Sequence, residues 1–216
     1  MTRLYIDSAA PQEWAEAVQC GLIRRATCNP LLMDAAPWRV NLNSVQQLWQ
    51  AAQTLGLEEL HLQAWPDEQG DWWPVAQAIA QLSPRIVVKL PAVPAAFKAA
   101  VALKKQGTRV LITAISNPLH GLWAAEAGAD FVAPYVGRLS EAGQDAHGLI
   151  DTLVALQQRQ GPTVLAASVR DLTTLGRLIQ QGVGAVTLRK SLLDAGLADP
   201  ATLTALAQFE AVRLKT

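Results

Sequence analysis

The sequence predicts a (β/α)8 barrel, and three observations carry that prediction. Eight short apolar runs recur along the 216 residues, and amphipathic stretches of helical period lie between them. No Gly-x-Gly-x-x-Gly or Walker-type loop follows any of the runs, which weakens a dinucleotide- or nucleotide-binding alternative. Strand and helix in steady alternation argue for parallel βαβ units. Eight units in one chain argue for closure over an open doubly wound sheet. The length lies near the ~200-residue lower limit of that fold, so insertions must be few.

Taken in order, the first two strands are expected at Leu4–Asp7 and Leu22–Ala26. A helix over Val45–Leu55 leads to a third strand at Glu59–Ala64, and one over Val75–Leu82 leads to the fourth, Arg85–Leu90. The fourth is a continuous β-branched run, the pattern of a strand buried on both faces. Helix Ala95–Lys105 precedes strand Arg109–Thr113, helix Pro118–Ala127 precedes Asp130–Pro134, and helix Leu149–Gln158 precedes Thr163–Ala167. Helix Leu172–Gln181 leads to the eighth strand, Ala185–Leu188. Asp199-Pro200 then reads as an N-cap followed by an N1 proline, opening a last helix through about Leu214. That helix exceeds what a barrel needs, and Leu203 and Leu206 suit packing on the barrel or on a neighbouring subunit. Residues 1–216 are thus expected to form a single barrel domain with an additional C-terminal helix.

Composition narrows the function classes. Half the residues are hydrophobic and 17% are charged, enough for one well-buried core. The formal net charge is zero and no run of like charges occurs, which argues against a nucleic-acid or acidic-membrane surface. No apolar stretch reaches the ~18 residues of a membrane span, and the segment from Met1 to Asp7 lacks the features of a signal peptide. Two cysteines make no disulfide framework, and three scattered histidines make no metal site. The expectation is a cytoplasmic protein that uses no metal and no cofactor.

Lys89 is out of place in Arg85-Ile86-Val87-Val88-Lys89-Leu90-Pro91. A lysine pointing into a protein is desolvated, which penalises its charged form, and a neutral lysine is the nucleophile that forms Schiff bases with carbonyl substrates. The plainer alternative is a lysine whose stem lies on the core while its ammonium reaches solvent. Other strand ends bear on the choice, because polar side chains there converge on one mouth of a barrel. In order they are Asp7, Thr27 with Asn29, Gln63, Lys89, Thr113, Tyr135 with Arg138, and Ser168 with Arg170. Every strand but the last supplies one. Singly, each has a structural role available: Asp7-Ser8 as a helix cap, Asn29-Pro30 as a turn, Ser168 at a helix start. Together they favour a site.

The segments Ile86-Val87-Val88-Lys89-Leu90-Pro91, Phe131-Val132-Ala133-Pro134-Tyr135-Val136-Gly137-Arg138 and Leu165-Ala166-Ala167-Ser168 resemble the transaldolase family, and more closely its small-subunit branch, the fructose-6-phosphate aldolases. Leu4-Tyr5-Ile6-Asp7, Thr27-Cys28-Asn29-Pro30 and Ile112-Thr113-Ala114 fit the same pattern, so the resemblance runs nearly end to end. It implies a barrel whose Schiff-base lysine, on the fourth strand, is Lys89. Transaldolases usually carry glutamate and phenylalanine where this chain has Gln63 and Tyr135, as the fructose-6-phosphate aldolases do. A glutamine can position a water but cannot take a proton, whereas a tyrosine hydroxyl can serve as acid and base.

The chemistry so implied starts with attack of Lys89 on the ketone carbon of a ketose phosphate. Carbon–carbon cleavage in the resulting iminium leaves an enamine, while Tyr135 takes the C4 hydroxyl proton through a water held by Gln63 and Thr113. Asp7, Thr27 and Asn29 bind the dihydroxyacetone portion. Arg138 and Ser168 bind phosphate. Arg170, Arg189 and Lys190 have no firm family match; their place near the last two strands, where barrel phosphates often lie, offers added charge, with solvent exposure as the alternative. The resemblance also implies a homo-oligomer, a decamer of pentameric rings with the C-terminal helix reaching a neighbour. Four departures stand near the mouth. Arg25-Ala26-Thr27-Cys28 stands where family members usually have Gly-Val-Thr-Thr or a similar segment. Leu31 replaces a small hydroxyl residue, Ile112 replaces a glycine and is expected to add bulk to the pocket, and Trp65 shares strand parity with Gln63 and so points toward the mouth unless it packs on a helix. Three functions remain open: a Schiff-base aldolase releasing dihydroxyacetone and glyceraldehyde 3-phosphate, a transaldolase, and a catalytically weakened sugar-phosphate-binding barrel.

Overall fold

The computed structural model describes residues 1–213. In chain order the elements are β1 (Arg3–Asp7), α1 (Pro11–Gln19), β2 (Arg25–Thr27), α2 (Pro30–Ala35), α3 (Leu42–Thr54), β3 (Glu59–Gln63), α4 (Trp73–Ala80), β4 (Ile86–Pro91), α5 (Pro94–Lys105), β5 (Arg109–Ile115), α6 (Pro118–Glu126), β6 (Phe131–Pro134), α7 (Val136–Glu141), α8 (Ala146–Gln158), β7 (Thr163–Ala166), α9 (Leu172–Gln181), β8 (Ala185–Leu188), α10 (Lys190–Leu197) and α11 (Pro200–Arg213). The eight strands pair in sequence order, all parallel, and β8 returns to β1, closing a (β/α)8 barrel.

The turn chemistry explains where the helices start. Prolines at the first or second helical position open α1, α2, α4, α5 and α6, where a missing N–H costs nothing. Asn29, Asn41, Asn117, Asp145 and Asp171 each accept a backbone N–H from the first turn they precede. Asp199 caps α11 in the expected way, its Oδ1 accepting from Thr202 N at 3.0 Å. The helix is described to Arg213, so the expected end at Leu214 lies outside the described residues.

Two strands differ from expectation by more than one residue. Residues 22–24 are not strand: Gly21 turns the chain at φ 74°, Leu22 is 72% exposed, and β2 begins only at Arg25. β5 runs two residues further than expected, through a register shift between Thr113 and Ile115 at which Ala114 adopts φ 57°.

Strand parity sorts the apolar residues into two cores. Tyr5, Val87, Leu111, Phe131, Ala133, Leu165 and Ala185 pack together inside the barrel. Ile86, Val88, Leu90, Ile112 and Val132 face the other way and join the larger core between strands and helices. Lys89 therefore shares the inward face with Val87, since alternate residues of a strand point to the same side. The same parity corrects the expectation for Ile112, which fills the outer core and adds no bulk to the pocket. Trp65, Trp72 and Trp73 also pack against the outer core.

Candidate active site

Inward-facing residues at the C-terminal ends of the strands surround a cavity of about 110 Å³ at the barrel mouth. Its floor is apolar, made by Leu111, Ala133 and Leu165, and Lys89 rises beside them. Lys89 is 5% exposed, and its Nζ donates a hydrogen bond to the Cys28 carbonyl at 3.0 Å. The carbonyl partner holds the amine in place beside the apolar floor. Cys28 itself offers no competing nucleophile, because burial pushes its thiol up to about 12.

Strands β1, β2 and β8 build one wall. Thr27 Oγ1 donates to Asp7 Oδ1 at 2.7 Å. Its single proton is thereby committed, so the 2.7 Å contact with Thr187 Oγ1 is one that Thr27 accepts. Asp7 keeps Oδ2 directed toward Arg189, whose Nε lies 3.9 Å away. Strands β5 and β6 build the opposite wall. Thr113 Oγ1 donates to the Tyr135 hydroxyl at 2.7 Å, which leaves the phenolic proton available to another acceptor. The Arg138 guanidinium stacks over the Tyr135 ring at 4.9 Å.

The rim beside β7 depends on a close backbone approach. Gly137 N donates to Ser168 O at 2.9 Å, and a Cβ at position 137 would lie 2.4 Å from that oxygen. Ser168 adopts φ 57°, a left-handed conformation that costs an L-residue roughly 1–2 kcal/mol. Ser168, Arg138 and Arg170 thus line one side of the mouth, a hydroxyl donor between two guanidinium groups. Arg170 also pairs with Glu141 at 3.1 Å.

Seven of the ten strand-end residues singled out from the sequence line the cavity directly: Asp7, Asn29, Lys89, Tyr135, Arg138, Ser168 and Arg170. Asn29 is at the same time the cap of α2, which occupies its Oδ1 and leaves its amide N–H groups. Thr27 and Thr113 act one bond behind, through Asp7 and Tyr135. Gln63 is paired with Lys89 across the β3–β4 ladder, with Oε1 buried and without a hydrogen-bond partner among the described residues. Thr187 corrects the expectation that the last strand contributes nothing, since it lines the cavity and closes the hydroxyl chain to Asp7. Its signal was the inward parity it shares with Ala185. Arg189 and Arg170 reach the mouth, whereas Lys190 turns away to Glu16 and Asp194. Leu31, 63% exposed, forms part of the lining.

Comparison with known proteins places the chain among similar sequences of one family. The model of the Transaldolase/Fructose-6-phosphate aldolase family matches residues 4–215. A probable transaldolase of Exiguobacterium sibiricum is 29% identical over 211 residues, covering 96% of this chain and 95% of that protein. One from Dehalococcoides mccartyi is 30% identical over 211 residues, covering 97% and 96%. One from Kosmotoga olearia is 28% identical over 211 residues, covering 96% and 94%.

Proposed function

The chain belongs to the transaldolase and fructose-6-phosphate aldolase family, and from that premise we propose that it is a lysine Schiff-base aldolase acting on a ketose phosphate. The observation that carries the proposal is Lys89, an inward-facing amine with a carbonyl partner on an apolar floor, at the foot of a cavity rimmed by hydroxyls and guanidinium groups. The neutral amine attacks the ketone carbon, and loss of water gives an iminium. That cation draws the electron pair of the adjacent carbon–carbon bond as the bond breaks, leaving an enamine and an aldehyde. Tyr135, oriented by Thr113, relays the proton of the C4 hydroxyl: it accepts that proton as its own phenolic proton passes to a water, and the water then protonates the enamine. Asp7 and Asn29, backed by Thr27, bind the dihydroxyacetone hydroxyls. Arg138 and Ser168 bind the phosphate through a guanidinium pair and a hydroxyl donor. Hydrolysis of the iminium then releases dihydroxyacetone, and no cofactor takes part.

Borohydride reduction with dihydroxyacetone or fructose 6-phosphate tests the proposal: a covalent adduct mapped to Lys89 by mass spectrometry supports it. Sugar-phosphate binding with no adduct under any ketose would instead favour the weakened barrel. A transferase reading is favoured by the names of the curated relatives, each a probable transaldolase. Glyceraldehyde 3-phosphate release measured with and without erythrose 4-phosphate separates the two, because the aldolase needs no acceptor.

We propose further that the barrel acts as one domain in the cytoplasm and assembles as a homo-oligomer, a decamer by family resemblance, with α11 on a neighbouring copy. In support, Leu203, Leu206, Phe209 and Val212 along α11 are 50–70% exposed. An apolar groove of about 330 Å³, lined by residues of α1, α9 and α10 such as Ala17, Leu175, Ile179 and Leu193, is open on the same chain. Truncation after Leu197 should yield a smaller particle by sizing; unchanged assembly refutes the role of α11.

A further inference from the structure

Inside the barrel, β3 presents Glu59, His61 and Gln63 on one face, from the bottom of the barrel to its mouth. Glu59 Oε1 accepts from the Tyr5 hydroxyl at 2.7 Å and meets His61 Nε2 at 2.6 Å, while Oε2 meets Arg109. The ring of His61 is fully buried between those of Tyr5 and Phe131, which meet it edge-on at 5.1 and 4.9 Å. A carboxylate accepts only, so Nε2 carries the proton and Nδ1 presents a bare lone pair. Nδ1 of His61 and Oε1 of Gln63 are both buried without a hydrogen-bond partner among the described residues. An orphaned buried acceptor costs roughly 1–3 kcal/mol, and two acceptors cannot satisfy one another.

Resting on the aldolase reading of the site, we propose that His61 is a positioning residue: a buried water donates one proton to His61 Nδ1 and the other to Gln63 Oε1, fixing the Gln63 amide with its N–H groups toward the substrate. The two unpartnered acceptors stand on alternate, same-facing residues of β3. Residues two apart on a strand are separated by about 6.6 Å, and a water donating twice spans roughly 4.5–5 Å between acceptors. Buried waters make about three hydrogen bonds. Lys89 is the neighbour of this face, paired with Gln63 across the ladder and bearing electrostatically on His61. Without the bridge, no hydrogen bond at Oε1 distinguishes the two ends of the amide, and a rotated amide offers the substrate an acceptor in place of donors. The chain Glu59–His61–water–Gln63 therefore carries information from the closed base of the barrel to its reactive end.

Two measurements test this independently of each other. Nitrogen-15 NMR of histidine-labelled wild-type protein should give His61 as the Nε2–H tautomer, with Nδ1 shifted as for a hydrogen-bond acceptor and a water cross-peak to its ring. A free Nδ1 signal overturns the proposal whether or not the protein is an aldolase. In kinetics, His61→Phe, which keeps an aromatic ring but deletes both the Nδ1 acceptor and the Nε2–H donated to Glu59, should lower kcat about ten- to a hundred-fold, the scale of a misplaced first contact. The borohydride-trapped fraction on Lys89 should stay near wild type. His61→Asn, whose amide oxygen replaces Nδ1, should recover part of the loss. Unchanged kcat in His61→Phe refutes the positioning role. Failure to trap Lys89 in the wild type refutes the aldolase reading instead and leaves the NMR result to decide on the water.

Discussion

The two ends of the barrel interior each carry a polar cluster, and they are built on opposite plans. At the base, Glu59 gathers Tyr5, His61 and Arg109 into a network whose members mostly satisfy each other. At the mouth, Asp7, Lys89, Tyr135 and Thr187 are each held by one bond and keep other polar positions facing a cavity. Between them lies the apolar layer of Val87, Leu111, Phe131, Ala133, Leu165 and Ala185. Buried polar groups of the same kinds thus serve as scaffold where closed and as reactive groups where left open. The difference lies in who holds the remaining lone pairs and protons.

The sharpest way to break that contrast is Lys89→Met. The nucleophile is lost while a flexible apolar chain fills its volume, so turnover should fall at least ~10⁴-fold. The denaturant midpoint should stay level or rise, since an open buried amine contributes little to stability. A steady-state assay beside a urea titration reads both. Tyr135→Phe should come next, lowering kcat by about 10²–10³. Lys89 should still be trapped by borohydride, because iminium formation does not need the phenol.

At the closed end the expected effect is on stability. Glu59→Gln leaves Arg109 and His61 without their carboxylate and should cost about 3 kcal/mol by urea unfolding. The same network predicts an acid limb. Burial holds His61 down at about 4, against the pull of Glu59, from an ordinary value of 6.5. Glu59 lies at about 2, against an ordinary 4.5, because the bonds from His61 and Tyr5 and the charge of Arg109 outweigh the upward push of burial. Both folded values are depressed, so the unfolded chain binds more protons over these intervals and stability falls as pH falls. The contribution is whole above 6.5, erodes through His61 down to about 4, and erodes through Glu59 from 4.5 down to about 2. Urea midpoints measured from pH 7 to pH 4 should decline, and His61→Phe should flatten the upper part of the decline.

Much of this was legible in the sequence because barrel strands obey a period of two. Lys89 stood out as a cation in a β-branched run, and the strand-end residues Asp7, Tyr135, Arg138 and Ser168 fell at the mouth as strand position alone predicts. Ile112 faces outward with Leu90 and Val132, as parity assigns it, so a departure from the family pattern there does not reach the pocket. Thr187 sits inside its strand and not at the end, so a strand-end pattern does not include it. Leu22 continues an apolar run in the sequence, and nothing local marks it as exposed ahead of β2. The base network lay beyond reading: Glu59 and Arg109 are 50 residues apart, and only closure of the barrel brings them together.

The smallest expected effect tests whether the mouth is kept open at the expense of stability. Ser168 and Ala114 hold positive φ values of 57° at the C-terminal ends of β7 and β5, where the chain turns around the cavity. Glycine adopts that conformation without the Cβ penalty but is more flexible when unfolded, so Ala114→Gly should change stability by no more than about 1 kcal/mol, on the stabilising side. Ser168→Gly should gain a similar amount by thermal unfolding while raising KM for a phosphorylated substrate several-fold, since its hydroxyl is lost. KM for unphosphorylated dihydroxyacetone should not move. Equal effects on both substrates would mean that Ser168 shapes the backbone alone, through the bond from Gly137 N to its carbonyl. A selective effect would place its hydroxyl among the open groups of the mouth, and the strain at this position would then be a cost of presenting it.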